Sequence, residues 1–204
     1  MRKALLTALA GTTVAFGLVG LVGNASANPV TATADLNGDG VADTITAQSV
    51  SGDPTRQQIT ATVNGREYTA TGDSDPNGVQ PLRVTDVNQD GANEVVTTGY
   101  LGANTVTMSI WVLHNDSLQA VFGPAGEPFY LYEGGGAAQV NGYSCAEGTL
   151  QVTAGDADNP GEQNPTYSGE VIAYSLDGAM LQLAGETVTF EGDPRPTLDP
   201  QTCA

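Results

Sequence analysis

The chain has 204 residues, with 6 Lys and Arg against 23 Asp and Glu, and a formal charge of −17. This balance excludes a nucleic-acid surface and attraction to an anionic membrane, because both need clustered basic side chains. The hydrophobic share of 40 % and the scattered acids also exclude a disordered acidic tail, and the length predicts one domain.

The N-terminal segment has the organisation of a secretory signal peptide. Two basic residues precede an uncharged stretch over 4–23, and Ala25-Ser26-Ala27 is a small-residue cleavage site. A transmembrane anchor is the alternative, but the repeated glycines and the cleavage site favour removal of 1–27. We therefore expect a secreted, extracellular chain without membrane insertion, whose 4 Arg and 23 acids give a formal charge of −19.

After residues 28–34, which we expect to form a linker, the sequence predicts an all-β domain over 35–192. Short runs of Thr, Val, Ala and Ile are broken by Gly, Asn and Asp, and hairpin turns are predicted at 64–65, 114–116 and 177–178. No window of the mature chain combines helix caps with an apolar helical stripe. Residues 193–204 are predicted to form a Pro-rich C-terminal strap.

Two nine-residue loops, 35–43 and 86–94, carry oxygen-bearing side chains at positions 1, 3, 5 and 9 and Gly at position 6. Calcium takes six to eight oxygen ligands, and a Gly at position 6 permits the sharp turn that gathers them. The expected ligands are Asp35, Asn37, Asp39, the Val41 carbonyl and Asp43, and then Asp86, Asn88, Asp90, the Ala92 carbonyl and Glu94. We expect two Ca²⁺ sites rather than magnesium or zinc. The alternative is a pair of metal-free turns, because Asp, Asn and Gly are typical turn residues.

A third acidic segment, 73–78, matches the first six loop positions. Its ninth position is Pro81, whose side chain cannot bind a metal. We therefore predict a plain turn there.

The two loops belong to an internal repeat. They lie 51 residues apart, and the same shift aligns the hairpin turn at 64–65 with 115–116. We predict units over 35–85 and 86–135, and the hairpin at 177–178 suggests a third unit over 136–192.

The third unit lacks an acidic loop and has Cys145 near its front. We expect Cys145 to pair with Cys203, because an exported chain permits disulfides and these are the only cysteines. Closing such a loop is worth roughly 4 kcal/mol in the chain-entropy model. Our hypothesis is that the disulfide fastens the third unit where metal fastens the first two.

The remaining chemistry-bearing residues give weaker signals. His114 is the only His and lies beside a predicted hairpin turn, without a Gly-x-Ser-x-Gly elbow in the chain, so we predict no catalytic site. Trp111 and tyrosines such as Tyr100, Tyr130 and Tyr132 are expected to fill the core rather than to line a carbohydrate-binding face.

The loops resemble the FG-GAP/VCBS-type calcium repeats of secreted and cell-surface proteins. The resemblance rests on 35–43 followed by Thr44-Ile45-Thr46, and on 86–94 followed by Val95-Val96, and it covers about 35–135. It implies that each acidic loop lies between strands of a propeller blade and holds calcium. The whole chain also resembles small exported actinobacterial proteins with two such loops and a Cys-bearing C-terminal part.

Two or three units are fewer than the four blades of the smallest closed propeller. We therefore predict antiparallel, blade-like repeats packed as a sandwich or an incomplete propeller. The expected function is a non-catalytic binding or envelope-associated module, monomeric, with an unknown extracellular protein or glycan as its partner. The alternative is an exported hydrolase or inhibitor in which calcium is purely structural.

Overall fold

The computed structural model describes residues 29–204 and is all-β, as predicted. Its strands form two open sheets in which every pairing between named strands is antiparallel. The predicted signal peptide, 1–27, lies outside the described residues. Within the described part of the chain, no helix has the length and hydropathy to cross a bilayer.

The first sheet is a four-stranded meander. Its strands, in order, are β1 (Val30–Ala34), β2 (Asp43–Val50), β3 (Asp53–Val63) and β4 (Arg66–Asp73). In β3 every second side chain, from Gln57 to Val63, is buried. This period of two is that of a strand with one face on the core.

The second sheet has ten strands. They are β5 (Arg83–Thr85), β6 (Glu94–Leu101), β7 (Thr105–His114), β8 (Ser117–Ala120), β9 (Leu131–Gly134), β10 (Gln139–Ala146), β11 (Thr149–Ala157), β12 (Thr166–Asp177), β13 (Met180–Leu183) and β14 (Val188–Pro194). The order is β13-β12-β11-β10-β9-β7-β6-β5, with β8 also paired to β7 and β14 to β12. A 3₁₀ helix, Pro200–Cys203, follows.

Two boundaries differ from the prediction. The expected linker, 28–34, contains β1, which pairs with β2 along its whole length because the loop at 35–43 closes the two strands into a hairpin. The expected strap, 193–204, begins inside β14 and ends in the 3₁₀ helix. β14 is almost entirely exposed, so this strand depends on its pairing with β12 and not on a hydrophobic pattern.

The core has two parts because β6 and β7 are buried on both faces. Val95 and Trp111 face the first sheet, and Gly72 of β4 lies against the Trp111 ring, where a Cβ would overlap it. The opposite faces of β6 and β7 carry Val96 and Ile110, which pack with residues of β10, β11 and β13. The second sheet therefore curls around its own core, an arrangement consistent with a sandwich.

The predicted Cys145–Cys203 disulfide is confirmed, with 4.8 Å between the two Cα atoms. The hairpin turn at 64–65 is confirmed by the pairing of Val63 with Arg66. Strand β7 turns into β8 through residues 115–116. The third hairpin turns at 178–179, one residue later than predicted.

Candidate metal centre

Each acidic loop joins the two strands of a β-hairpin. Loop 1, residues 35–43, joins β1 to β2, and loop 2, residues 86–94, joins β5 to β6. The flanking strand pairs, Ala34 with Asp43 and Thr85 with Glu94, are equivalent in the two hairpins. The ninth position of each loop is therefore the first residue of the returning strand.

The two loops repeat the same internal hydrogen bonds. The position-1 carboxylate accepts the N–H groups of positions 5 and 6, and the position-5 carboxylate accepts the N–H of position 7. The position-3 amide donates to the other oxygen of position 5, and the position-9 carboxylate accepts the N–H of position 2. Five equivalent contacts at 51-residue spacing give both loops one geometry.

Glycine at position 6 is required by the backbone. Gly40 has φ +82° and Gly91 has φ +89°, in the left-handed region that other residues adopt at a cost. Position 4 is also left-handed in both loops, at Gly38 and at Gln89. The sequence spacing therefore predicted the turn correctly.

The ninth-position acids are buried, with Asp43 and Glu94 each 4 % exposed. Burial, followed by repulsion from Asp90 and Asp86, raises the pKa of Glu94 to about 8. At position 5 of loop 1, hydrogen bonds from Asn37, Asn64 and the Val41 N–H lower the pKa of Asp39. The pKa of Glu94 in loop 2 and the pKa of Asp39 in loop 1 therefore shift in opposite directions.

Loop 2 contains an unsatisfied oxygen donor. Asn88 Oδ1 is shielded from solvent and has no hydrogen-bond partner among residues 29–204, whereas Asn37 Oδ1 in loop 1 accepts the Asp39 N–H at 3.1 Å. Positions 3, 5, 7 and 9 of loop 2 line a cavity of about 240 Å³ that also contacts His114. A buried polar oxygen without a partner beside carboxylates fits the chemistry of a hard cation.

Within residues 29–204, no three His, Cys, Asp or Glu side chains converge as a ready-made metal site. In both loops the acids are engaged by backbone N–H groups and by the position-3 amide instead. The predicted ligand set also needs the amide oxygen of position 3 and the carbonyl of position 7. Each loop holds its predicted ligands along one turn, and a carboxylate oxygen can accept more than one contact.

The loops touch each other, and loop 2 also touches the β10–β11 turn and the C-terminal 3₁₀ helix. Asp35 N–H donates to Asn93 Oδ1 at 3.1 Å, and Asn93 N–H donates to the Asp35 carbonyl at 2.6 Å. Asp86 N–H donates to the Cys203 carbonyl at 2.6 Å, and Gly148 N–H donates to Gln89 Oε1 at 2.8 Å. Sequence reasoning missed these contacts, because no local pattern marks partners so far away in the chain.

The remaining candidate residues, in the turn at 73–78 and at His114 and Trp111, make ordinary turn and packing contacts. The turn at 73–78 is confirmed by the Gly78 N–H donating to the Asp75 carbonyl, and Asp75 is fully buried. His114 is half-buried against Gly178. Trp111 is in the core, as predicted, and donates to Thr97 Oγ1.

The expectation that the tyrosines fill the core is wrong for two of them. Tyr100 is 55 % exposed and Tyr132 is 45 % exposed. Tyr100 and Tyr132 lie on the same face of the second sheet as Trp111. They are exposed because the first sheet covers this face around Trp111 but does not extend over the two tyrosines.

Comparison with known proteins identifies no relative: no protein-family model matches the chain, and no curated protein or solved structure matches it significantly.

Proposed function

We propose that the chain is an exported calcium-binding β-repeat protein that acts as a non-catalytic binding or envelope-associated module. The observation that carries the proposal is the repetition of one hydrogen-bonded loop at 35–43 and 86–94, with an unsatisfied Asn88 oxygen in the second copy. Local turn propensity accounts for one such loop, but a repeated set of oxygen donors is better explained by a shared ligand.

Each loop would hold one Ca²⁺ through its positions 1, 3, 5, 7 and 9. Bound calcium supplies positive charge that compensates the three carboxylates of the loop. The chain's own contribution is pre-organisation, because backbone N–H groups already fix one face of each carboxylate.

The topology supports the repeat interpretation. Three groups of four successive antiparallel strands occur, β1–β4, β5–β8 and β10–β13, and each is a meander. Cys145 lies at the end of β10, beside the turn at 147–148 that occupies the place of the acidic loops. We infer that these groups are blade-like units and that the disulfide fastens the third.

Export is supported by the signal-peptide pattern and by the disulfide, which is typical of oxidising compartments. We assign no catalytic role to the carboxylate beside the cavity of about 670 Å³ near the C-terminus. That cavity is lined by Glu133, but Arg83 pairs with both oxygens of this carboxylate. A carboxylate engaged in this way is not poised for proton transfer.

The test is thermal unfolding of the chain from residue 28, with about 2 mM calcium and then with excess chelator, a concentration above the usual range for extracellular modules. Two sites filled at about ten times their dissociation constants raise the Tm by about 5–10 °C. The double variant Asp39→Ala and Asp90→Ala should abolish this shift.

The matched control is Glu191→Ala with Asp193→Ala, which removes two exposed carboxylates outside the loops. It should retain the full calcium shift. Equal shifts in the two double variants, or no shift in the parent chain, would contradict the proposal.

A further inference from the structure

Two exposed tyrosines lie in line across three neighbouring strands. Tyr100 of β6 is opposite Thr107 of β7, and Thr107 is opposite Tyr132 of β9. Cross-strand partners project from the same face of a sheet. The two tyrosine side chains are therefore neighbours on one face, separated by two strand spacings, or about 9–10 Å.

A polar wall runs beside this row. Tyr130, just before β9, donates from its hydroxyl to Asp73 Oδ2 at 3.2 Å. Asp73 also pairs with Arg56 through Oδ1 and Nη1 at 2.5 Å. Because Asp73 is the last residue of β4, the end of the first sheet forms this wall.

Hydrogen bonds from the first sheet anchor the backbone beside Tyr100. The pairing of β6 with β7 shifts register between Thr98 and Tyr100, which places a bulge at Gly99. Buried Gln57 donates to the Thr98 carbonyl at 3.0 Å and to the Asp73 carbonyl at 2.6 Å. These contacts fasten the bulge to the end of β4.

On the other side of Tyr100, the Leu101 N–H donates to the buried Asp75 carboxylate at 2.8 Å. The backbone on both sides of Tyr100 is thus anchored before any ligand binds. A site ordered in advance loses less conformational entropy on binding.

We call the three residues Tyr100, Tyr130 and Tyr132 the tyrosine shelf. A phenol ring offers an apolar face, which suits the C–H face of a sugar ring, and a polar tip. The Arg56 donors and the Asp73 oxygens alongside suit sugar hydroxyls. The Arg56–Asp73 pair has no net charge, whereas the mature chain as a whole carries −19 by its 4 Arg and 23 acids. A polyanion is repelled by the chain, and a neutral polymer is not.

We propose that the tyrosine shelf binds a neutral, extended polysaccharide, with sugar rings stacked on Tyr100 and Tyr132 and an intervening ring above Thr107. In a β-1,4-linked chain every second sugar ring presents the same face. Two such rings could stack on Tyr100 and Tyr132, which lie on either side of β7, with the ring between them above β7. The proposal rests on the binding-module function above but does not depend on its calcium sites.

The test is titration of the exported chain with cellohexaose in calcium, followed by calorimetry and by amide chemical shifts of β6, β7 and β9. We expect binding that weakens by about tenfold or more in Tyr100→Ala and in Tyr132→Ala, and that is retained in Tyr100→Phe. The control Leu183→Ala removes an exposed apolar side chain from β13 and should leave binding unchanged. Hexagalacturonate, an anionic probe of similar length, should bind more weakly than cellohexaose.

Three results would overturn the inference: no cellohexaose binding, binding unaffected by the two alanine variants, or equal binding of hexagalacturonate. Self-association that the alanine variants abolish would also overturn it, by making the shelf a protein contact. Calcium-dependent unfolding is measured on the same samples. A chain that shifts with calcium but does not bind cellohexaose refutes only the shelf, and the reverse pattern refutes only the calcium proposal.

Discussion

Loop 1 and loop 2 make the same five internal hydrogen bonds but lie against different parts of the chain. In loop 1, Asn64 from the β3–β4 turn donates to Asp39 Oδ2 at 3.0 Å. In loop 2, Asp86 N–H donates to the Cys203 carbonyl, and Gln89 accepts the Gly148 N–H. Loop 1 is therefore supported by the nearby β3–β4 turn, and loop 2 by the β10–β11 turn and the C-terminus.

This comparison separates what a local pattern determines from what the fold adds. Position 6 glycine and the Asp and Asn spacing dictate the turn in both copies. The support behind each turn comes from residues 25 to 117 positions away in the sequence. We therefore expect the two proposed calcium sites to respond differently to distant changes.

Removing the disulfide should have the largest effect. Cys145→Ala with Cys203→Ala lowers the free energy of unfolding by roughly 4 kcal/mol in the chain-entropy model. Because the Cys203 carbonyl accepts the Asp86 N–H, calcium binding should weaken at loop 2 and not at loop 1. Denaturant unfolding gives the first quantity, and calcium titrations of the Gly40 and Gly91 amide resonances give the second. Equal weakening at both loops would contradict the comparison.

The turn at 73–78 is a buried acidic turn for which we predict no metal. Both Asp75 oxygens accept N–H groups, from Asn77 and Leu101, and these bonds lower the pKa of Asp75. Asp75→Asn leaves one of these N–H groups without its acceptor and should cost about 1–3 kcal/mol.

The same depressed pKa gives a pH dependence. The stabilisation by Asp75 is present above the unfolded pKa of about 3.9 and is lost as pH falls through the lower folded value. The stability difference between parent and Asp75→Asn should therefore shrink below about pH 4. Urea unfolding across pH, with and without calcium, checks this. A difference that depends on calcium would make the turn a third metal site.

The contact between the loops is the next test. Asn93→Ala removes the acceptor of the partly buried Asp35 N–H and should cost about 1 kcal/mol. It should also weaken the coupling between the loops, in which calcium binding at one loop changes the calcium midpoint of the other. The Gly40 and Gly91 amide resonances report the two midpoints. Independent calcium binding at the two loops of the parent chain would contradict a role of this contact in coupling them.

The smallest effect concerns the hairpin turn beside loop 1. Asn64→Ala removes a donor to Asp39 and should change the loop 1 calcium midpoint by about twofold, without moving that of loop 2. The matched control is Asn115→Ala, in the β7–β8 turn 51 residues later. A change at both loops in either variant would show that the turns do not act locally.

The sequence was informative wherever structure depends on short spacing. The acidic loops, the turn at 73–78 and the hairpin at 64–65 follow from residues within one turn of each other. The disulfide followed from elimination, since Cys145 and Cys203 are the only cysteines.

Features that depend on where a sheet ends could not be predicted from the sequence. β1 is held by pairing with β2, although its own residues are mostly Thr and Ala. Trp111 is buried and Tyr132 is exposed because the first sheet stops at Asp73. The contacts of Asn93 and of the Cys203 carbonyl depend on the packing of segments that are distant in the sequence.

The most direct measurement is the calcium stoichiometry of the chain from residue 28, by isothermal titration calorimetry. Two equivalents are predicted for the parent chain, and one for each of the single variants Asp39→Ala and Asp90→Ala. Zero equivalents, or a stoichiometry that neither variant changes, would contradict the assignment of the two loops as calcium sites.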